Sequence, residues 1–185
     1  MTASGVRLAR MTDTDELGAI NVAAWRDRLG DILQAEVLDQ LRPDDLALVW
    51  AGAILNPPTS QHRLLVATHD ESARGYAAVG PCADADADAA TGELIALEVH
   101  PDDQRQGHGS RLLAAAVDHA RADGFEVLAV WCPVDDEVRR GFLQSAGWVP
   151  DSAWRDLQVD PGAPDELEPE QVLREVRLVV SLSTD

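Results

Sequence analysis

Two periodicities alternate along the chain, and each marks a class of element. Val6 to Arg10 alternates apolar and polar, which predicts a short strand. Thr12-Asp13-Thr14 offers N-cap oxygens, and Asp15 and Glu16 follow in the first turn, where carboxylates favour the positive helix end. Leu17, Ile20, Ala24 and Leu29 then form a helical stripe that stops near Gly30. A second helical region is predicted over 34–55, interrupted at Pro43 and ended by Asn56-Pro57-Pro58. Residues 63–68 and 74–79 read as strands joined by a turn, hence a hairpin. After an Asp/Ala-rich loop, Glu93 to His100 reads as another strand. Leu112, Leu113, Ala116, Val117 and Ala120 share one face of a helix over 107–123, with Gly124 fitting the position after its end. Val127 to Trp131 is a continuous apolar run, the pattern of a strand buried on both faces. A short helix over 134–146 is stopped by Gly147. Strands near 154–159 and 172–182 flank an acidic Pro/Gly loop at 160–170.

The resulting order, β, α, α, β, β, β, α, β, α, β, β, predicts an α+β (mixed α/β) fold rather than a doubly wound Rossmann sheet. The length of 185 residues fits one domain over 1–185. The formal net charge is -18, and all 15 basic residues are arginine. That sign disfavours nucleic acid and anionic membrane surfaces as partners. It permits a cationic partner, although a solvated acidic surface explains the same excess. Cys82 and Cys132 form no CxxC pair, which makes a reducing, cytoplasmic location the expectation. No apolar run approaches the ~18 residues of a membrane span, and the first ten residues lack the apolar core of a signal peptide. The histidines form no HxxxH pair, and no metal is expected. Asp84-Ala85-Asp86-Ala87-Asp88 imitates a calcium loop, but the positions needing Gly and Glu hold Ala89 and Ile95.

The chemistry concentrates in Leu94 to His119, LIALEVHPDDQRQGHGSRLLAAAVDH. A strand ends at His100-Pro101, a short loop leads to Gly107-His108-Gly109, and a helix starts at once. Glycines let the backbone approach a ligand closely, and the first N–H groups of a helix have no internal partners. The arrangement reads as an anion cradle for a phosphate or pyrophosphate, with Arg105 as a cation at its rim. The plainer reading is a tight turn. A Walker loop is impossible without lysine, and Leu112 stands where GxGxxG needs its third glycine.

Gln104-Arg105-Gln106-Gly107-His108-Gly109, following the strand Leu97-Glu98-Val99-His100-Pro101, matches the pattern [QR]-x-x-G-x-[GA]. In this setting it resembles the cofactor signature of the GNAT superfamily of acyl-CoA-dependent N-acyltransferases. Gly141-Phe142-Leu143-Gln144-Ser145-Ala146-Gly147-Trp148 is similar to that family's second signature. The resemblance implies a mixed, mostly antiparallel sheet of about seven strands flanked by about four helices, its fourth and fifth strands splayed apart. It implies acetyl-CoA as co-substrate, held at the pyrophosphate by main-chain N–H groups of Gln104, Arg105, Gln106, Gly107, His108, Gly109 and Ser110. Leu97 and Val99 would pair with the pantetheine arm like an added strand, and Phe142 would pack near the thiol end. The acceptor would be the amine of a small molecule or a peptide terminus, shaped by the first two helices and the last hairpin; a homodimer is compatible with the family.

Acetyl transfer needs a neutral amine and hence a base. Glu93 is the first candidate, eleven residues before Gln104 and at a place where several members of the family carry a catalytic glutamate. Glu98 is the second; strand alternation puts it on the face opposite Glu93, Leu97 and Val99, barring a bulge. The family's usual general-acid tyrosine falls at Leu143, which cannot donate. Tyr76, Ser145 and Cys132 are the alternative donors, and Trp25 and Trp154 are candidates for a substrate pocket. A non-catalytic acyl-CoA-binding sensor of the same fold is the second functional reading.

Overall fold

The expected hairpin forms from β2 (Arg63–His69) and β3 (Ser72–Pro81). Its two-residue turn, Asp70-Glu71, takes positive φ at both positions, 49° and 70°, the mirror-image geometry that matches strand twist. The computed structural model describes residues 4–30, 35–159 and 171–183. Around the hairpin stand β1 (Ser4–Leu8), β4 (Thr91–Val99), β5 (Val127–Pro133), β6 (Val149–Val159) and β7 (Gln171–Ser181). The helices are α1 (Thr14–Leu29), α2 (Ala35–Asp39), α3 (Pro43–Leu55), α4 (His108–Ala122) and α5 (Glu137–Ser145). Pro43 opens α3 at its first turn, where a missing N–H costs nothing. The predicted acidic loop at 160–170 lies outside the described residues.

The strands form one sheet in the order β1-β2-β3-β4-β5-β7-β6. Every neighbouring pair is antiparallel except β4 and β5, which run parallel and are connected through α4. The fold is therefore the α+β arrangement expected, with the predicted second helical region split into α2 and α3 on either side of the break before Pro43. Leu112, Leu113 and Ala116 of α4 and Leu143 of α5 bury one sheet face with Leu94, Leu97, Leu128 and Val130. On the other face Leu17 and Ile20 of α1 cover Val66 and Tyr76.

Asp13 precedes α1 as expected, but its side chain does not cap that helix. It accepts from Arg7 Nη1 at 2.7 Å, from Arg7 Nη2 at 2.8 Å and from the Arg10 amide at 2.7 Å, which ties the helix entry to β1.

Gly18 sets the approach of α1 to α3. A Cβ at this position would run into the Pro43 carbonyl oxygen and lie 2.9 Å from the Ala47 nitrogen, both of them backbone. Gly18→Ala is expected to destabilise the fold by about 1–3 kcal/mol, the usual cost of overpacking. Urea denaturation checks this, and an unchanged midpoint would show that the two helices can separate freely.

The strand β4 departs from simple alternation. Ala96 pairs with Ala78, but the next partner of β3, Val79, pairs with Leu94, so Ile95 is an extra residue, a β-bulge. Residues directly opposite one another share a face. Leu94, Leu97 and Val99 thus face α4, whereas Glu93, Ala96 and Glu98 face the α1 side. The alternation that separated Glu93 from Glu98 is corrected by this one inserted residue.

Candidate active site

The parallel strands β4 and β5 pair over only three positions, Thr91 with Val127, Gly92 with Leu128 and Glu93 with Ala129. Beyond them β4 continues along β3 and β5 along β7, leaving a slot between Leu94–Val99 and the end of β5. The His100 amide donates to Arg74 O at 2.9 Å, so alternation turns the N–H and C=O groups of Leu97 and Val99 away from β3 and toward the slot. Both α4 and α5 start at the slot's open end, each following one of its strands. Their positive dipole ends therefore converge there.

At the mouth Gly107 is the residue before α4, with φ of 81°, a left-handed conformation natural to glycine. Arg105 is also left-handed, φ 59°, and exposed. The first helical bond of α4 runs from the Arg111 amide to Gly107 O at 3.1 Å. The N–H groups of His108, Gly109 and Ser110 precede it and are free of intrahelical partners. A Cβ at Gly109 would lie 3.7 Å from Phe142 Cζ and 3.8 Å from Val99 Cγ2, which places Phe142 beside the cradle and the slot. The His108 side chain is turned inward, 3% exposed. Burial first, and then Arg111, lower its pKa, so it stays neutral and its Nδ1 contacts Arg111 Nη2 at 3.1 Å. The side chains of Gln104 and Gln106 are exposed; Gln106 Nε2 donates to Asp102 O at 3.2 Å. These residues fit a pyrophosphate: free amides, two glycines and the cations Arg105 and Arg111.

Glu93 is the last residue of β4 to pair with β5 and so stands where the strands part. Burial, with a smaller contribution from the Asp84 carboxylate, pushes its pKa up, while Arg155 opposes the shift. Glu98 accepts from Arg28 Nη2 at 2.8 Å and lies 3.7 Å from Arg139 Nη1.

The model of the acetyltransferase (GNAT) family matches residues 22–148. The chain belongs to the GNAT acetyltransferase family. An N-acetyltransferase of Bacillus subtilis, YuaI, is 28% identical over 127 residues, 68% of this chain and 69% of that protein. A mycothiol acetyltransferase of Kineococcus radiotolerans is 36% identical over 135 residues; that match covers 73% of this chain but 38% of the relative. Among solved structures, the PaiA N-acetyltransferase of Thermoplasma acidophilum in complex with coenzyme A superposes with a TM-score of 0.71 at 14% identity, covering 97% of this chain and 99% of that one.

Within this GNAT acetyltransferase, of the alternative proton donors Ser145 is bonded within its own helix, and Cys132 and Tyr76 are buried. Leu143 is 0% exposed in the main core. Ser145 Oγ donates to Phe142 O at 2.6 Å. Burial pushes the Cys132 thiol up to about 11. Tyr76 is buried against Trp50, ring centroids 4.8 Å apart, and its hydroxyl is pushed well up by the same cause. Trp154 is 61% exposed, but its partner in register is Val176, on the sheet face opposite Glu93. Trp25 is half-buried on α1.

Sequence reasoning missed the arginines of the slot. Arg139 Nη1 donates to Leu97 O at 2.8 Å, and Arg28 Nη1 lies 3.4 Å from Asp136 Oδ2. These residues are separated by 42 and 108 positions, and no local pattern links them. The acidic loop was visible but not its anchor. Asp84 and Asp86 accept from Arg177 at 2.9 and 2.7 Å, and Trp131 Nε1 donates to Asp84 Oδ2 at 3.1 Å. No described helix is long and apolar enough to cross a membrane.

Proposed function

We propose that the chain transfers an acetyl group from acetyl-CoA to the primary amine of a small molecule or a peptide terminus. One observation carries the reading: a slot between parallel strands closes at a half-buried glutamate and opens at a glycine-flanked helix N-terminus. The slot-facing backbone edge of Leu97 and Val99 suits the amides of an extended arm, and free helix N–H groups suit its pyrophosphate. When bound, acetyl-CoA supplies an activated acyl group as a thioester. The amides of His108, Gly109 and Ser110 would hold its diphosphate, with Arg105 and Arg111 at the rim. Leu97 and Val99 would align the arm, and Phe142 would pack beside it. Gln104 and Gln106 would complete the loop through their main chain.

Glu93 would take the proton of the acceptor amine, directly or through water. The environment suits that role, because burial and Asp84 raise its proton affinity while Arg155 keeps it ionisable. Glu98 is the poorer candidate, since Arg28 and Arg139 already hold its charge. The acceptor would approach from the α1 face, where Glu93 and Trp131 lie. Part of the acid excess is neutralised locally: Asp84, Asp86 and Asp151 are clamped by Arg177. The relative named as a mycothiol acetyltransferase is much longer than this match, so its acceptor is not carried over.

A buried Leu143 favours a second reading, a non-catalytic acyl-CoA sensor. Release of free CoA thiol from acetyl-CoA across a panel of amines decides between them. Amine-dependent release supports the transferase; tight binding with no release on any acceptor supports the sensor.

A further inference from the structure

A buried group of four charges lines the slot. Arg28 and Arg139 face Glu98 and Asp136, with side-chain exposures of 20%, 12%, 8% and 5%. Arg28 serves both carboxylates, at 2.8 Å from Glu98 and 3.4 Å from Asp136. Arg139 is less committed. Its short bond, 2.8 Å, goes to the neutral Leu97 carbonyl, and Glu98 is 3.7 Å away. Its buried Nε finds no partner among the described residues. The Leu97 carbonyl it occupies is on the strand edge that an extended arm would use, so a ligand arm entering the slot must meet this guanidinium.

Acetyl transfer leaves negative charge on sulfur, and the position that should donate a proton is the core residue Leu143. Arg139 lies one helical turn before it on α5, next to the slot. We propose that Arg139 is a catalytic residue that stabilises the departing CoA sulfur as a thiolate, replacing protonation by a fixed cation. The assignment rests on the reading that the CoA arm lies in the slot. In the reaction the amine nitrogen forms the new C–N bond. The C–S bond breaks with its electron pair on sulfur, and the amine proton goes to Glu93 directly or through water. Arg139 transfers no proton, because a guanidinium stays charged throughout.

The groups around Arg139 leave the test window clear. Glu98 faces it from β4, Asp136 from the cap of α5, Arg140 from α5 itself, Arg28 from α1, Cys132 from β5 and Tyr76 from β3. Cys132 is pushed up to about 11 and Tyr76 well above its ordinary value, so neither titrates near pH 8. A change in CoA binding across that window then reports the ligand's own thiol.

Calorimetry compares CoA with desulfo-CoA on the full chain, on R139Q and on R139K. A thiol of ordinary pKa about 8.5 ionises earlier beside a cation, so the CoA-to-desulfo-CoA affinity ratio of the wild type should rise about tenfold from about pH 7 to 9. R139Q should abolish that rise while keeping desulfo-CoA affinity within about twofold, and R139K should retain most of it. A ratio that does not rise in the wild type overturns the assignment, even if R139Q fails to fold. Equal loss of both ligands in R139Q also overturns it, because a structural role would do that. Binding of neither ligand to the wild type overturns the CoA reading and this assignment together.

Discussion

Gly107→Val is expected to lower CoA affinity at least about a hundredfold. The residue before α4 has φ of 81°, and a β-branched side chain there costs about 1–3 kcal/mol. A Cβ would also lie 3.2 Å from Arg111 Nη1, a cation of the cradle. The backbone escapes this strain by turning, and turning spoils the convergence of the His108, Gly109 and Ser110 amides. Each charge-assisted hydrogen bond lost adds about 1.5–3 kcal/mol, and every 1.4 kcal/mol is about tenfold in affinity. Gly107→Asn separates the two causes, because asparagine tolerates the left-handed region. It should stay within about tenfold of the wild type. Calorimetry with CoA measures both variants, and valine at unaltered affinity would remove the cradle from the binding site.

The elements that the sequence made legible are those whose signal is local. The stripe of Leu112, Leu113, Ala116 and Ala120 is a single helix face, and it is buried as one. Gly124 and Gly147 stop their helices in the left-handed conformation, φ 89° at each. The glycine loop could be placed because strand, loop and helix are contiguous. The start of α5 was less legible: the helix begins at Glu137 rather than near 134, because Asp136 accepts from the Arg139 amide at 2.9 Å and caps it there. The strand predicted near 154–159 begins at Val149, since its first pairs with β7 precede an irregularity at Ser152 that hides the period.

What depends on distant partners was not legible at all. The bulge at Ile95 puts Glu93 on the same face as Glu98 and opposite Leu97 and Val99, yet Leu94-Ile95-Ala96-Leu97 is apolar throughout and carries no period. Only pairing with β3 reveals the extra residue. The Arg28, Glu98, Asp136 and Arg139 group draws on α1, β4 and α5, so its members look like ordinary surface charges in the sequence. The bulge and the charges belong together. Placing Glu98 on the α1 side delivers it to Arg28, whereas Glu93, on the same face, has no arginine ion pair among the described residues.

That separation of roles makes Glu93→Gln the sharpest test of the chemistry. Removing a positioned base should slow turnover about a hundred- to ten-thousandfold while leaving CoA affinity nearly unchanged. The pH profile carries the assignment. Burial and Asp84 raise the pKa of Glu93 above its ordinary 4.5, so the wild-type rate should fall on an acidic limb displaced upward from that ordinary value. The glutamine variant should lose that limb. Stability should move the other way. A raised pKa means the native state holds the proton more tightly, so this group's contribution is full below the ordinary value and is lost as pH rises through the raised one. At neutral pH the buried carboxylate is therefore a burden that glutamine relieves. Thermal melts should show Glu93→Gln with the higher Tm at neutral pH and with no advantage in acid. A variant that is less active and more stable marks a residue kept for chemistry rather than for the fold. Full activity with an unaltered profile would transfer the role of base away from Glu93. Glu98, held between two arginines, would then have to release Arg28 before it could act.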